Sequence, residues 1–169
     1  MLKPKELSPE SLLLDPNNPR LTQNFQSQRY VKDEEAEDNQ DALLSLFKKS
    51  GQGHEFTDIE DLKKSIKQIG FVRIQNIVVR EIEETGKYIV IEGNRRVATI
   101  KTLLREHELA RVGSNEKIDD PDILATLETL EVMVLQTEGK TQEQIRNDEK
   151  TILGLRHIGG NLEWEPLPK

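Results

Sequence analysis

Two adjacent arginines stand directly behind a glycine in Gly93-Asn94-Arg95-Arg96, after the β-rich run Tyr88-Ile89-Val90-Ile91-Glu92 and before Val97, Ile100, Leu103 and Leu104 at helical spacing. A strand that passes through glycine into a helix leaves the first N–H groups of that helix without intrahelical partners, at the positive end of its dipole. Glycine lets a phosphate approach the backbone, and guanidinium forks grip phosphate oxygens in pairs. Gly93, Asn94, Arg95 and Arg96, with Glu92 ahead of them, therefore form the candidate phosphate site. The bland alternative has Gly93 serving only the turn while both arginines are solvated or paired with carboxylates.

Further chemistry is sparse. With no cysteine there are no disulfides, thiolate nucleophiles or cysteine-held metals. His54, His107 and His157 have no HxxxH or HExxH spacing, so no histidine-built metal site is expected. Arg156 and His157 are candidates to converge on the anion held by Arg95 and Arg96. His157 otherwise sits against a helix C-terminal dipole, with Gly159 or Gly160 ending the helix. Glu92, Asp148 and Glu149 have the chemistry to hold a metal, although isolated acids in an acidic chain are mostly surface residues. Trp164 either stacks a base or closes an apolar edge.

The elements that must position these groups follow from spacing. The first 25 residues, rich in proline and asparagine, suit an edge strand and irregular wrapping. Lys32–Asp41 (KDEEAEDNQD) is a solvated loop or helix start, leading into a helix with Ala42, Leu43, Leu46 and Phe47 inward and Ser50-Gly51-Gln52-Gly53 beyond it. Thr57-Asp58-Ile59-Glu60 is a capping box for a helix whose stripe is Ile59, Leu62, Ile66 and Ile69, stopped by Gly70. Asn76–Ile82 and Tyr88–Glu92 form a β-hairpin around Gly86. Asp120-Pro121 opens a short helix, Leu130, Val132 and Val134 alternate as a strand, and Thr141-Gln142-Glu143-Gln144 caps a helix carrying Ile145, Ile152 and Leu155 inward. Residues 161–169 show no period. Helices and strands joined mostly by hairpin links predict a small α+β domain spanning 1–169.

Composition bounds the rest. A length of 169 residues with 33% charged positions gives one domain with a proper core. No apolar run of about 18 residues and no leader-like start exist, so a cytoplasmic chain without membrane contact is expected. The net charge of −7 argues against a broadly basic nucleic-acid surface. Lys32–Asp41 alone holds six acids and one base, so the remainder is nearly balanced and keeps room for a local basic patch. That acidic run also suits docking of a basic partner.

The order helix, Gly70-Phe71, hairpin, Gly93-Asn94-Arg95-Arg96-Val97-Ala98, helix, strand, helix resembles the N-terminal domain of ParB-type partition proteins. Ser65-Ile66 through Gly70-Phe71 to Ile77-Val78-Val79 is similar to the family's SI…G(L/F)…(P)I.V segment, and Leu14-Asp15-Pro16-Asn17-Asn18-Pro19-Arg20 to its opening phrase. The resemblance implies a ParB/sulfiredoxin-like α+β fold with a small mixed sheet, binding a cytidine nucleotide or another triphosphate such as ATP with magnesium, and acting with DNA in chromosome or plasmid partition. It places Gly93, Arg95 and Arg96 in the phosphate motif and Gly70 with Phe71 near the nucleotide. It leaves room for a homodimer, for weak triphosphate hydrolysis, and for a ParB-like nuclease or phosphotransferase. Sulfiredoxin chemistry is excluded, because it needs a cysteine.

Three departures stand out. Asn94 replaces the family's usual glutamate, Asn76 stands near its usual proline, and Leu155–Gly160 takes the place of an E-N-x-Q-R string. An Arg-His pair cannot replace a carboxylate that holds magnesium, although it can hold phosphate directly.

Overall fold

The computed structural model describes residues 1–18, 21, 30–47, 58–73 and 76–164, with 155–164 as backbone only. Its strands are β1 (Leu2–Leu7), β2 (Leu12–Leu13), β3 (Ile77–Ile82), β4 (Lys87–Glu92) and β5 (Leu130–Leu135). The α-helices are α1 (Gln40–Leu46), α2 (Glu60–Ile69), α3 (Asn94–Leu109), α4 (Pro121–Glu128) and α5 (Gln142–Trp164). Short 3-10 stretches cover Pro9–Ser11 and Asp33–Asn39, the second running straight into α1.

The strands form one sheet in the order β1-β5-β3-β4-β2. β3/β4 and β1/β5 are antiparallel, whereas β3/β5 and β2/β4 are parallel, so the sheet is mixed and the fold α+β. Both edges come from the first 13 residues. The hairpin expected at 76–92 is present, with Glu84 and Gly86 at positive φ in its turn.

Alternation along the strands, with one register shift between β3 and β4 at Val78/Val79, gives the sheet two buried faces. Ile77, Val79, Tyr88, Val90 and Val132 pack on one side with Val97, Ile100 and Leu103 of α3 and with Phe47 and Leu127. Val78, Ile91 and Leu135 meet Ile152 of α5 on the other, where Leu13 and Ile89 also cover Ala36 of the acidic 3-10 helix. The acidic run is thus an amphipathic turn whose one buried residue is Ala36.

Local signals held well. Asp120 accepts a bond from the Asp122 N–H at 2.9 Å, and Thr141 and Gln144 cap each other reciprocally. Other expectations need correction. In α1 the buried positions are Leu43 and Leu44 with the following Phe47, Leu46 is half-buried and Ala42 is exposed, because the helix is rotated about its axis so that the larger Leu44 rather than Ala42 faces the core. Ile69 is 66% exposed, since α2 ends there and Gly70 turns the chain away. α5 runs on through Gly159 and Gly160 to Trp164, because glycine in a helix costs only about 1 kcal/mol and need not end it. Ser50–Gly53, Thr57, Pro19-Arg20 and 165–169 lie outside the described residues.

Candidate functional site

β4 hands the chain to α3 through Gly93, whose φ of +104° is a left-handed conformation that a side chain strains. A Cβ there would stand 3.1 Å from Ile77 Cγ1 and 3.2 Å from Arg96 Nη2, so the position is closed sterically as well. The first helical bond of α3 runs from the Val97 N–H to the Gly93 carbonyl at 2.9 Å, so the amides of residues 94–96 precede the ladder of a 16-residue helix.

The arginines are anchored differently from the expectation. Arg95 donates through Nε and Nη2 to the Asp58 carbonyl, at 3.1 and 2.8 Å, tying α3 to the residue before α2. Arg96 Nη2 donates to the Asn76 carbonyl at 3.2 Å, just ahead of β3. A carbonyl orients a guanidinium without cancelling its charge, and no described acid forms a salt bridge with Arg95. The pairing with carboxylates allowed by the sequence is therefore not what holds Arg95.

Asn94 is buried, and both ends of its amide are used: Oδ1 accepts from the Asp15 N–H and Nδ2 donates to the Val90 carbonyl, each at 3.0 Å. This side chain fastens the N-terminal segment to the strand–helix turn. Glu92 is half-buried at the end of β4, opposite Val78. Gly70, at φ +82°, and Phe71 are fixed on α4: a Cβ at Gly70 would lie 3.1 Å from Thr126, and Phe71 N–H donates to Thr126 Oγ1 at 2.9 Å. Phe71 packs against the main core. Arg156 lies on α5 one turn beyond Ile152, with His157 next to it, and only the backbone of these two is described.

A second ionic centre lies on the opposite sheet face. Arg80 of β3 grips Asp33 in a fork, at 2.6 and 3.1 Å, and Glu149 of α5 through Nε at 2.5 Å. Its guanidinium is held charged by those carboxylates against the cost of burial. Nearby, burial pushes the Asp15 carboxyl up to about 6, with Glu149 and Asp33 reinforcing the rise and the Asn17 N–H and Arg80 opposing it. Asp148 is bound by Lys140. Asp148 and Glu149 are thus consumed by cations, and no group of three acidic or histidine side chains among the described residues is arranged to hold a metal. Among the described residues, Glu92 is the carboxylate next to the Gly93–Arg96 turn, half-buried at the end of β4.

Sequence reasoning missed Arg80, Asp33, Asp58 and Asn76 as structural partners. Their separations of 20 to 69 residues left no local signal.

Among the described residues, no helix is long and apolar enough to cross a membrane. Nothing matches among the curated proteins. Among solved structures, C-terminally truncated chromosome-partitioning protein ParB from Caulobacter crescentus, complexed with CTP-gamma-S, matches at 21% identity and a TM-score of 0.39, over 81% of this chain. This chain spans 46% of that protein's length. Residues 50–128 match the ParB N-terminal domain family, a stretch that includes the hairpin and the Gly93–Arg96 turn. Over that stretch the chain is similar to the ParB N-terminal domain.

Proposed function

We propose that the chain is a nucleotide-binding domain of a DNA-associated, ParB-like partition protein, with the phosphates of CTP or a related triphosphate held at the N-terminus of α3. The reading rests on the family match over residues 50–128 and on one observation above all. Gly93 opens the start of a long helix while Arg95, beside it, is oriented by a neutral carbonyl and keeps its charge. Gly93 and the amides of 94–96 receive phosphate oxygens, and Arg95 and Arg96 supply charge-assisted bonds. Asn94 contributes through its backbone, its side chain being spent on Asp15 and Val90. Arg156 and His157 join from α5. Gly70 and Phe71, seated against Thr126 of α4, shape the neighbouring wall. DNA is reached by a local basic patch or by regions beyond these residues, and a homodimer is the working assembly.

The chemistry needs no resident metal, because helix N–H groups and guanidinium forks complement phosphate directly. For a nuclease or phosphotransferase reading, two of the acids that would join Glu92 are engaged elsewhere, since Asp148 and Glu149 are bound to Lys140 and Arg80. The test is calorimetric titration with CTP, ATP and GTP, with and without magnesium. Binding of at least one triphosphate in the absence of metal supports the reading, and no binding of any at millimolar concentration ends it. Metal-dependent nicking of plasmid DNA that vanishes in Glu92→Gln would instead establish the nuclease.

A further inference from the structure

The middle of α3 carries a second feature, independent of the triphosphate reading. Lys101 lies eight residues beyond Gly93, about 12 Å along the helix, at a cleft of about 540 Å³ between α1, α3, α4 and the Pro9–Ser11 turn. The size suits a small molecule. Leu14, Leu44, Leu104 and Leu124 make its apolar wall.

Lys101 is partly buried at this wall, and among the described residues its ammonium has neither a hydrogen bond nor a salt bridge. A cation drawn out of water without a partner is unfavourable. Other charges facing the cleft are already engaged or stand at its edge. Arg105 of α3 reaches Asp41 of α1 at 3.3 Å. His107 accepts the Ile118 N–H at Nδ1, and Lys87 of β4 donates to the Glu10 carbonyl. Glu10, Glu108 of α3 and Glu128 of α4 are exposed on the rim.

We propose that this cleft is a binding site for a small apolar monocarboxylate, with its carboxylate on Lys101 and its hydrocarbon body on the four leucines. One unpaired cation matches one anionic group, and the leucines match an apolar body. The acidic rim repels polyanions, so a triphosphate is kept out of this site. Burial, reinforced by repulsion from Lys87 and Arg105 and opposed by Glu10, pulls the Lys101 ammonium down to about 8. Carboxylate binding therefore weakens as pH rises through about 8 and Lys101 loses its proton.

The test uses octanoate as the probe, with octan-1-ol carrying the same body without charge and acetate carrying the charge without the body. Methyl NMR and calorimetry on the whole chain should show octanoate shifting the methyls of Leu14, Leu44, Leu104 and Leu124. Octanol and acetate should bind about tenfold more weakly or worse. Lys101→Met, which keeps the length and apolar stem of the side chain, should fold as the parent does and lose about tenfold in octanoate affinity, with Lys101→Arg recovering most of it. Equal octanoate affinity in Lys101→Met and parent, octanol binding as tightly as octanoate, methyl shifts centred elsewhere, or no binding at millimolar octanoate would each overturn the proposal. None of these outcomes depends on whether a triphosphate binds at Gly93.

Discussion

Arg80 and Arg95 are the same side chain put to opposite use on the two sides of one sheet. Arg80 is met by two carboxylates, one from the acidic 3-10 helix and one from α5, so its charge is consumed in joining three elements. Arg95 is met by a backbone carbonyl, which fixes its direction and leaves its charge to act on something else. The lesson is that an arginine's fitness for anion binding is decided by the chemistry of its partner, which a motif does not encode. Asp15 lies between the two settings: its N–H is held by Asn94 beside Gly93, and its carboxyl feels Arg80, Glu149 and Asp33.

That contrast can be broken from either side. Arg80→Ala should be the most damaging substitution, because it leaves Asp33 and Glu149 as partly buried carboxylates without their partner. Their partial exposure softens the penalty to about 3 kcal/mol. Chemical denaturation should record that loss, while the triphosphate affinity of the remaining folded protein stays at the parental value.

Gly93→Val should cost nearly as much, about 2–3 kcal/mol, from strain at φ +104° together with the contacts to Ile77 and Arg96. Unlike Arg80→Ala it should also abolish triphosphate binding, which makes the pair diagnostic in a combined thermal and calorimetric assay.

Arg95→Ala should be milder, about 1–2 kcal/mol, since it deletes two bonds to the Asp58 carbonyl and loosens α2 against α3. The same substitution viewed from the sequence alone would be expected to leave folding untouched, and the difference lies in a contact spanning 37 residues. What the sequence made legible was local: the glycine turn at 93, the cap at Asp120, the reciprocal Thr141–Gln144 box and the hairpin all depend on neighbours within a few positions. What it hid was long-range. Nothing near Arg80 marks Asp33 and Glu149 as its partners, and nothing near Asn94 marks the Asp15 N–H as the donor to its amide oxygen. Helix ends were the other weak point, as Ile69 and Gly159-Gly160 show, because periodicity carries no information about where tertiary packing stops.

The smallest effect should come from Asp15. Its carboxyl is raised in the folded chain to about 6, so the fold binds that proton more tightly than the unfolded chain does. The resulting penalty is fully present at neutral pH and is relieved as pH falls through about 6 towards 4. Asp15→Asn, which keeps an oxygen for the Asn17 N–H, should therefore be more stable than the parent at pH 7 by about 1 kcal/mol, with the advantage fading by pH 4.5. A constant difference across that range in parallel denaturation series would remove Asp15 from between the two arginine settings.

The most direct measurement is a calorimetric titration of CTP into the parent, Arg95→Ala, Arg96→Ala and Arg80→Met, each first confirmed as folded. If phosphate is held by the arginines at the start of α3, the first two variants should each lose about ten- to a hundredfold in affinity, as expected for charge-assisted bonds of about 1.5–3 kcal/mol, while Arg80→Met binds as the parent does. Parental affinity in both Arg95→Ala and Arg96→Ala, or a loss confined to Arg80→Met, would contradict the account.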